Sequence, residues 1–204
     1  MTTSPPPSQG HPLAASSLAD LLIEDEYVED AGAIAGVHVP EWLQRLGVPQ
    51  GWMLVEIADN SRVPLARIAV CGPRDDDGWE ATETISVFGY TGRLMFGDVF
   101  SNASGTLRAL DATDITTKVL PIPPTQHAAA LRSSGIAVIG DRRVWVQQSN
   151  YLAGSYQRHA GRLYVHSIFV DSQCLTRLAE DIARMSDAVY LGFVTTLGNE
   201  HRAG

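Results

Sequence analysis

Residues 128–170 limit the fold most. Three strand-length segments, 128–139, 143–151 and 162–170, follow one another, each rich in Val, Ile, Tyr or Trp. They are separated by Gly140-Asp141 and by the stretch from Gly154 to Gly161. Turn residues between β-prone segments fold consecutive strands back on one another, so these residues predict an antiparallel meander of three strands.

The segments before the meander extend the same sheet. Strands are expected at 53–57, 65–71 and 81–88, the last two joined by the turn run Gly72-Pro-Arg-Asp-Asp-Asp-Gly78. In 81–88, Thr82, Thr84, Ser86 and Phe88 alternate with Ala81, Glu83, Ile85 and Val87, which suits a sheet with one wetter face. Another strand, 115–120, stops at Pro121-Ile-Pro-Pro124 because proline lacks the ladder donor. Val37-His-Val39 reads as short and extended ahead of Pro40, and 41–46 as one helical turn.

Helical spacing marks two elements that can cover this sheet. Asp98 can cap a helix over 98–110, with Val99, Phe100, Ala103, Leu107 and Leu110 on one stripe and Gly105 weakening it. A closing amphipathic helix begins at Asp171-Ser172, buries Leu175, Leu178, Ile182 and Met185, and ends at Ser186-Asp187, leaving 189–197 as a final apolar segment. The fold class is α+β: an antiparallel sheet of about six or seven strands flanked by helices in an α/β/α sandwich.

The domain map follows. Residues 1–17, with four prolines and almost no bulky apolar side chain, are expected to be a disordered tail, 36–197 a single domain, and 198–204 a frayed tail. Between them, 18–35 form an acidic amphipathic arm. Ser16 or Ser17 caps a helix with Leu18, Leu21, Leu22 and Tyr27 on one face, which ends at Asp30-Ala-Gly32. That arm is either packed on its own domain or a detachable partner-binding segment.

Charge narrows the range of partners. The net charge is −8, and residues 1–111 hold 16 acids against 6 bases while 112–204 hold 7 against 9. This disfavours nucleic acid and anionic lipid, which need clustered Lys and Arg. The acidic half either faces a basic partner or is solvated. No window has the roughly 18 uninterrupted apolar residues of a membrane span. Cys71 and Cys174 lie 103 residues apart with no CxxC and read as core fillers. The opening Met1-Thr-Thr-Ser-Pro-Pro-Pro lacks the charged and apolar regions of a secretory signal, so the cytoplasm is the expected compartment.

No GxGxxG, Walker loop, GxSxG, HExxH or paired-Cys signature occurs, and no catalytic residue, metal or cofactor is assigned. Of the six histidines, His166 shares a strand face with Tyr164 and Ile168 and reads as packed; His159 stands seven residues before it. Asp75-Asp76-Asp77 sits on a turn, where carboxylates neither converge across a substrate nor have the alternate spacing of a calcium loop. The candidate binding surface lies in the meander: Arg142, Arg143, Arg158, His159 and Arg162 among Trp145, Tyr151, Tyr156 and Tyr164. Arginine beside aromatic rings is the composition that interface hot spots favour.

The order of elements resembles the PsbP-like fold shared with the Mog family, and within it the actinobacterial LpqN-like family. The resemblance rests on Val48-Pro49-Gln50-Gly51-Trp52, Ser134-Gly135 opening the meander, Tyr151, and 161–170 (GRLYVHSIFV), and spans about residues 37–196. Lys118 is the sole lysine among the 15 basic residues, and this Arg-rich, Ala-rich usage fits a high-GC genome such as an actinobacterium. The chain departs from that family's export signal and lipid-acceptor cysteine. What the resemblance implies is a non-catalytic module that binds a protein or a small apolar ligand. The expected function is thus binding of a protein partner, as a monomer or a homodimer. A carrier with an apolar pocket between sheet and helix is the second reading and an unrecognised enzyme the third.

Overall fold

The computed structural model describes residues 17–57, 65–72, 78–125 and 127–203. Among them eight strands form one antiparallel sheet: β1 (Val28–Ala33), β2 (Trp52–Leu54), β3 (Arg67–Cys71), β4 (Ala81–Gly92), β5 (Thr113–Val119), β6 (Ala128–Ile139), β7 (Arg142–Ala153) and β8 (Gly161–Asp171). The order is β2-β3-β4-β8-β7-β6-β5. β3 pairs with the first half of β4, and β1 lies along the same edge of its second half, opposite Phe88 to Gly92. Gly92 (φ +109) is required there, since a Cβ on it would stand 2.1 Å from the Tyr27 carbonyl oxygen. The meander is as expected: β6 and β7 are joined by the two residues Gly140-Asp141, with Gly140 at φ +65.

Alternation sends side chains to two covered faces. Ala81, Ile85, Val87, Tyr164, Ile168 and Val170 face helix α5 (Leu175–Ala203) and the short α2 (Glu41–Gln44). Phe88, Tyr90, Leu131, Leu152 and Leu163 face α1 (Leu18–Glu24) and α3 (Phe96–Asn102), while α4 (Gly105–Ala109) puts Leu107 on Ala137 and Val146. Burial of these apolar faces holds the layers together.

Several boundaries differ from the sequence pattern, each for a local reason. The helix after Ser17 stops at Glu24, because Asp25 turns extended (ψ 129), and Val28–Ala33 becomes a strand, so 18–33 packs on the sheet with Leu18 and Leu22 buried. Ser17 does cap that helix, accepting a hydrogen bond from the Asp20 amide at 3.2 Å; the rest of the proline-rich tail, and Asp75 to Asp77, lie outside the described residues. Residues 36–38 form a 3-10 turn in place of an extended segment, and the strand expected at 53–57 is only Trp52–Leu54. β4 runs past Phe88 to Gly92.

The helix expected over 98–110 breaks into α3 and α4. The Ala103 carbonyl accepts from the Ser133 hydroxyl (3.1 Å) and the Asn150 amide (3.2 Å) on the sheet, and Ser104 leaves helical geometry. Asp98 makes no cap and sits in the first turn of α3. The closing helix does the reverse. It continues through Ser186-Asp187 to Ala203, since the buried Ser186 hydroxyl accepts from the Gln147 side-chain amide at 2.7 Å, and the 189–197 segment simply prolongs its stripe.

Candidate functional site

The residues singled out in the meander separate into two ends and a core. Strand β7 spans about 35 Å at the usual rise per residue, with Val144 opposite Asp171 at one end and Ala153 opposite Arg162 at the other. Arg142 and Arg143 lie at the first end, and Tyr156, Arg158, His159 and Arg162 at the second. Trp145 is partly buried against the core under α5, and Tyr151 is fully buried there with its ring 5.4 Å from that of Phe193. Tyr151 belongs to no surface, which corrects its place in the candidate set, while Trp145 keeps part of its ring exposed; Tyr164 is buried in the same layer.

At the first end Arg142 is committed to structure. Its Nε (3.1 Å) and Nη2 (2.6 Å) donate to Asp171 Oδ2, and Nη1 donates to the Trp79 carbonyl. The Gln173 backbone N–H, followed by the Arg142 guanidinium, holds the Asp171 carboxyl below the usual carboxylate range. Arg143 is exposed beside a cleft of about 880 Å³ that also meets Glu80, Asp141, Asp171, Ser172 and Cys174. Three carboxylates against two arginines leave this cleft without a dominant sign of charge.

The second end is different in kind. Tyr156 is 69% exposed, with the Arg93 guanidinium 5.9 Å from its ring centroid and the His127 ring edge-on at 5.9 Å. Arg93 Nη1 donates to His127 Nδ1 at 3.4 Å. The loop bearing Tyr156 is fixed by paired backbone bonds between Gly92 and Ser155 (2.7 and 3.0 Å) and by Thr91 Oγ1 accepting from the His159 amide. Arg158 pairs with Asp30 on β1 (3.2 Å), and Arg162 donates to backbone carbonyls of its own loop.

Beside this loop runs an apolar groove of about 240 Å³ floored by Leu94, Val99, Ala129 and Leu152, with Arg93 and His127 at its rim. Met95 and Phe96 on its wall are each 54% exposed, and Phe100, stacked on Phe96 at 6.3 Å, is 45% exposed. Sequence reasoning missed Arg93, Met95, Phe96 and His127 and placed Phe100 on a buried stripe. The available signal was the run Arg93-Leu-Met-Phe96 at a strand-to-helix junction.

A third polar group lies sealed under α5. Glu83 accepts from Arg67 Nε (2.9 Å) and pairs with His166 Nε2 (3.0 Å), while Arg67 also donates to the Leu46 and Gly47 carbonyls. Burial alone would push the Glu83 carboxyl up, but the His166 hydrogen bond and charge, followed by those of Arg67, outweigh it and hold it below its ordinary value. His166 is packed on the face of Tyr164 and Ile168 as the alternation required. Among the described residues, no group of three or more His, Cys, Asp or Glu is placed to hold a metal ion, and no helix is long and apolar enough to cross a membrane.

These features describe an open antiparallel sheet covered by helices, with its accessible chemistry at the strand ends. The fold is LpqN-like: the crystal structure of LpqN, involved in cell envelope biogenesis of Mycobacterium tuberculosis, superposes with a TM-score of 0.60 at 15% identity, covering 82% of this chain and 92% of that one. At such identity the likeness speaks for the fold alone. No protein-family model matches the sequence, and no curated protein does.

Proposed function

We propose that this chain is a non-enzymatic binding module that engages a protein partner through the strand end carrying Arg93, Met95, Phe96, His127 and Tyr156. One observation carries the reading. Met95 and Phe96, each more than half exposed, wall an apolar groove, and the arginine at its rim lies over the ring of Tyr156, itself more than half exposed. Aromatic, Met and Arg side chains around a depression are what interface centres are made of, and clustered exposed apolar surface costs solubility unless it is used. A carrier is less well supported, since Leu178, Ile182, Val189 and Phe193 fill the space between sheet and α5. The groove at α3 also falls short of the roughly 300 Å³ at which ligand pockets begin. The reading includes membership of an actinobacterial LpqN-like family with PsbP-like architecture, and a cytoplasmic location, with which the free thiols Cys71 and Cys174 agree.

Affinity capture with three immobilised forms tests it: wild type, Phe96→Ser/Tyr156→Ser, and Arg143→Glu at the opposite end. The expected result is partner loss from the first variant and full capture by the second. Equal capture by all three removes the groove from the function. Light scattering on the same proteins shows whether the partner is a second copy.

A further inference from the structure

The face of the sheet toward α5 carries an arrangement that the groove does not explain. Lys118 on β5 and Arg132 on β6 are direct cross-strand partners, so two cations stand side by side on one face. Like charges directly opposite destabilise a sheet pair. Among the described residues neither has a carboxylate within ion-pair distance.

Hydroxyls surround the pair. The next pair along the same face is Thr116 and Ser134, their oxygens 3.1 Å apart. On the other side Arg132 Nε donates to Ser149 Oγ at 2.9 Å, and Nη2 reaches the Tyr151 hydroxyl (3.5 Å) and the Ser186 carbonyl on α5 (3.4 Å). These contacts hold the guanidinium in place and, among the described residues, leave its Nη1 donors uncommitted.

The backbone is built to bring Lys118 to that face. The register of β5 against β6 shifts between Thr113 and Thr116, with Asp114 in the left-handed region at φ +55. An extra residue in a strand reverses the faces of all that follow, and such bulges serve to re-aim side chains. The opposite strand accommodates it with Gly135, where a Cβ would stand 2.9 Å from the Thr113 carbonyl oxygen. A non-glycine residue at positive φ is a strained choice of backbone. Here the outcome is a lysine beside an arginine.

We infer that Lys118 and Arg132, with the hydroxyls of Thr116 and Ser134, bind a phosphate-type oxyanion on the α5 side of the sheet, the buried Ser149 hydroxyl fixing the Arg132 guanidinium from behind. Two cations with convergent O–H donors match a group with several charged oxygens, to which Arg and Lys donate charge-assisted hydrogen bonds. Asp187 on α5 is the opposing charge, near enough to raise the Tyr151 hydroxyl's pKa after burial has done most of that. It limits affinity.

Titration of the full chain with inorganic phosphate, followed by amide NMR at constant ionic strength against chloride, tests the site. Saturable shifts are expected in 116–118, 132–134 and 149. Lys118→Ala, at an exposed position on the edge strand, should weaken binding about tenfold, and Asp187→Asn should strengthen it. Glycerol phosphate as a second titrant separates a free ion from a phosphate ester as the preferred source. Shifts spread over all arginines, or unchanged by Lys118→Ala, overturn the assignment.

Discussion

One face of the sheet is closed by a helix of 29 residues with the four-residue α2 beside it, and the other by three short helices of 7, 7 and 5. α5 keeps Leu178, Ile182, Met185, Val189, Phe193 and Leu197 buried along its length. On the opposite face α3 breaks at Ala103, whose carbonyl is taken by Ser133 and Asn150, and at the other end of α3, where β4 leads into it beside β6 and β7, lies the groove with exposed Met95 and Phe96. Covering a sheet continuously stabilises it, whereas covering it in pieces leaves accessible apolar surface.

The buried ion group on the sealed face offers the largest test. Glu83→Gln leaves Arg67 buried without its counter-charge and should cost about 3–5 kcal/mol at neutral pH, read as the urea midpoint. Because the folded carboxyl titrates below the unfolded one, the unfolded chain binds more protons in that interval. The wild-type contribution is therefore full above the ordinary carboxylate range and is lost as pH falls through the folded value, so the gap between the two proteins should narrow in acid. A gap constant from pH 7 to 3 means that Glu83 is not held ionised.

Leu178→Ala tests the seal itself and should cost about 2–5 kcal/mol, while Arg177→Ala, whose partner Glu80 is met at the surface, should cost under about 0.5 kcal/mol. Equal losses would mean that α5 is rotated from the observed face. The smallest effect is expected on the open face: Phe96→Ala should change stability by less than about 0.5 kcal/mol. A loss above 2 kcal/mol would make Phe96 core, and the contrast between the two faces would fail.

Much of the fold was legible beforehand. The three meander strands, the hairpin at Gly140-Asp141, the face of His166 and the stripe from Leu178 to Met185 follow from alternation, turn residues and helical spacing. The candidate surface was much less so. Arg142 to Arg162 are near neighbours in the chain, but a strand as long as β7 carries its ends far apart, and Tyr151 differs from Tyr156 only in which one the tertiary packing covers.

By itself, then, the sequence determined the periodicities: which segments extend, which coil, and which side of each is apolar. Those depend on residues one to four positions apart. Only the tertiary structure decided where helices break or continue, because the deciding partners are distant in the chain: Asn150 ends α3 at Ala103, and Gln147 carries α5 through Ser186. It also decided that Arg93 would meet Tyr156 and Lys118 would stand beside Arg132, since buried polar groups and exposed charges take their partners from whatever strand pairing and layer packing bring near.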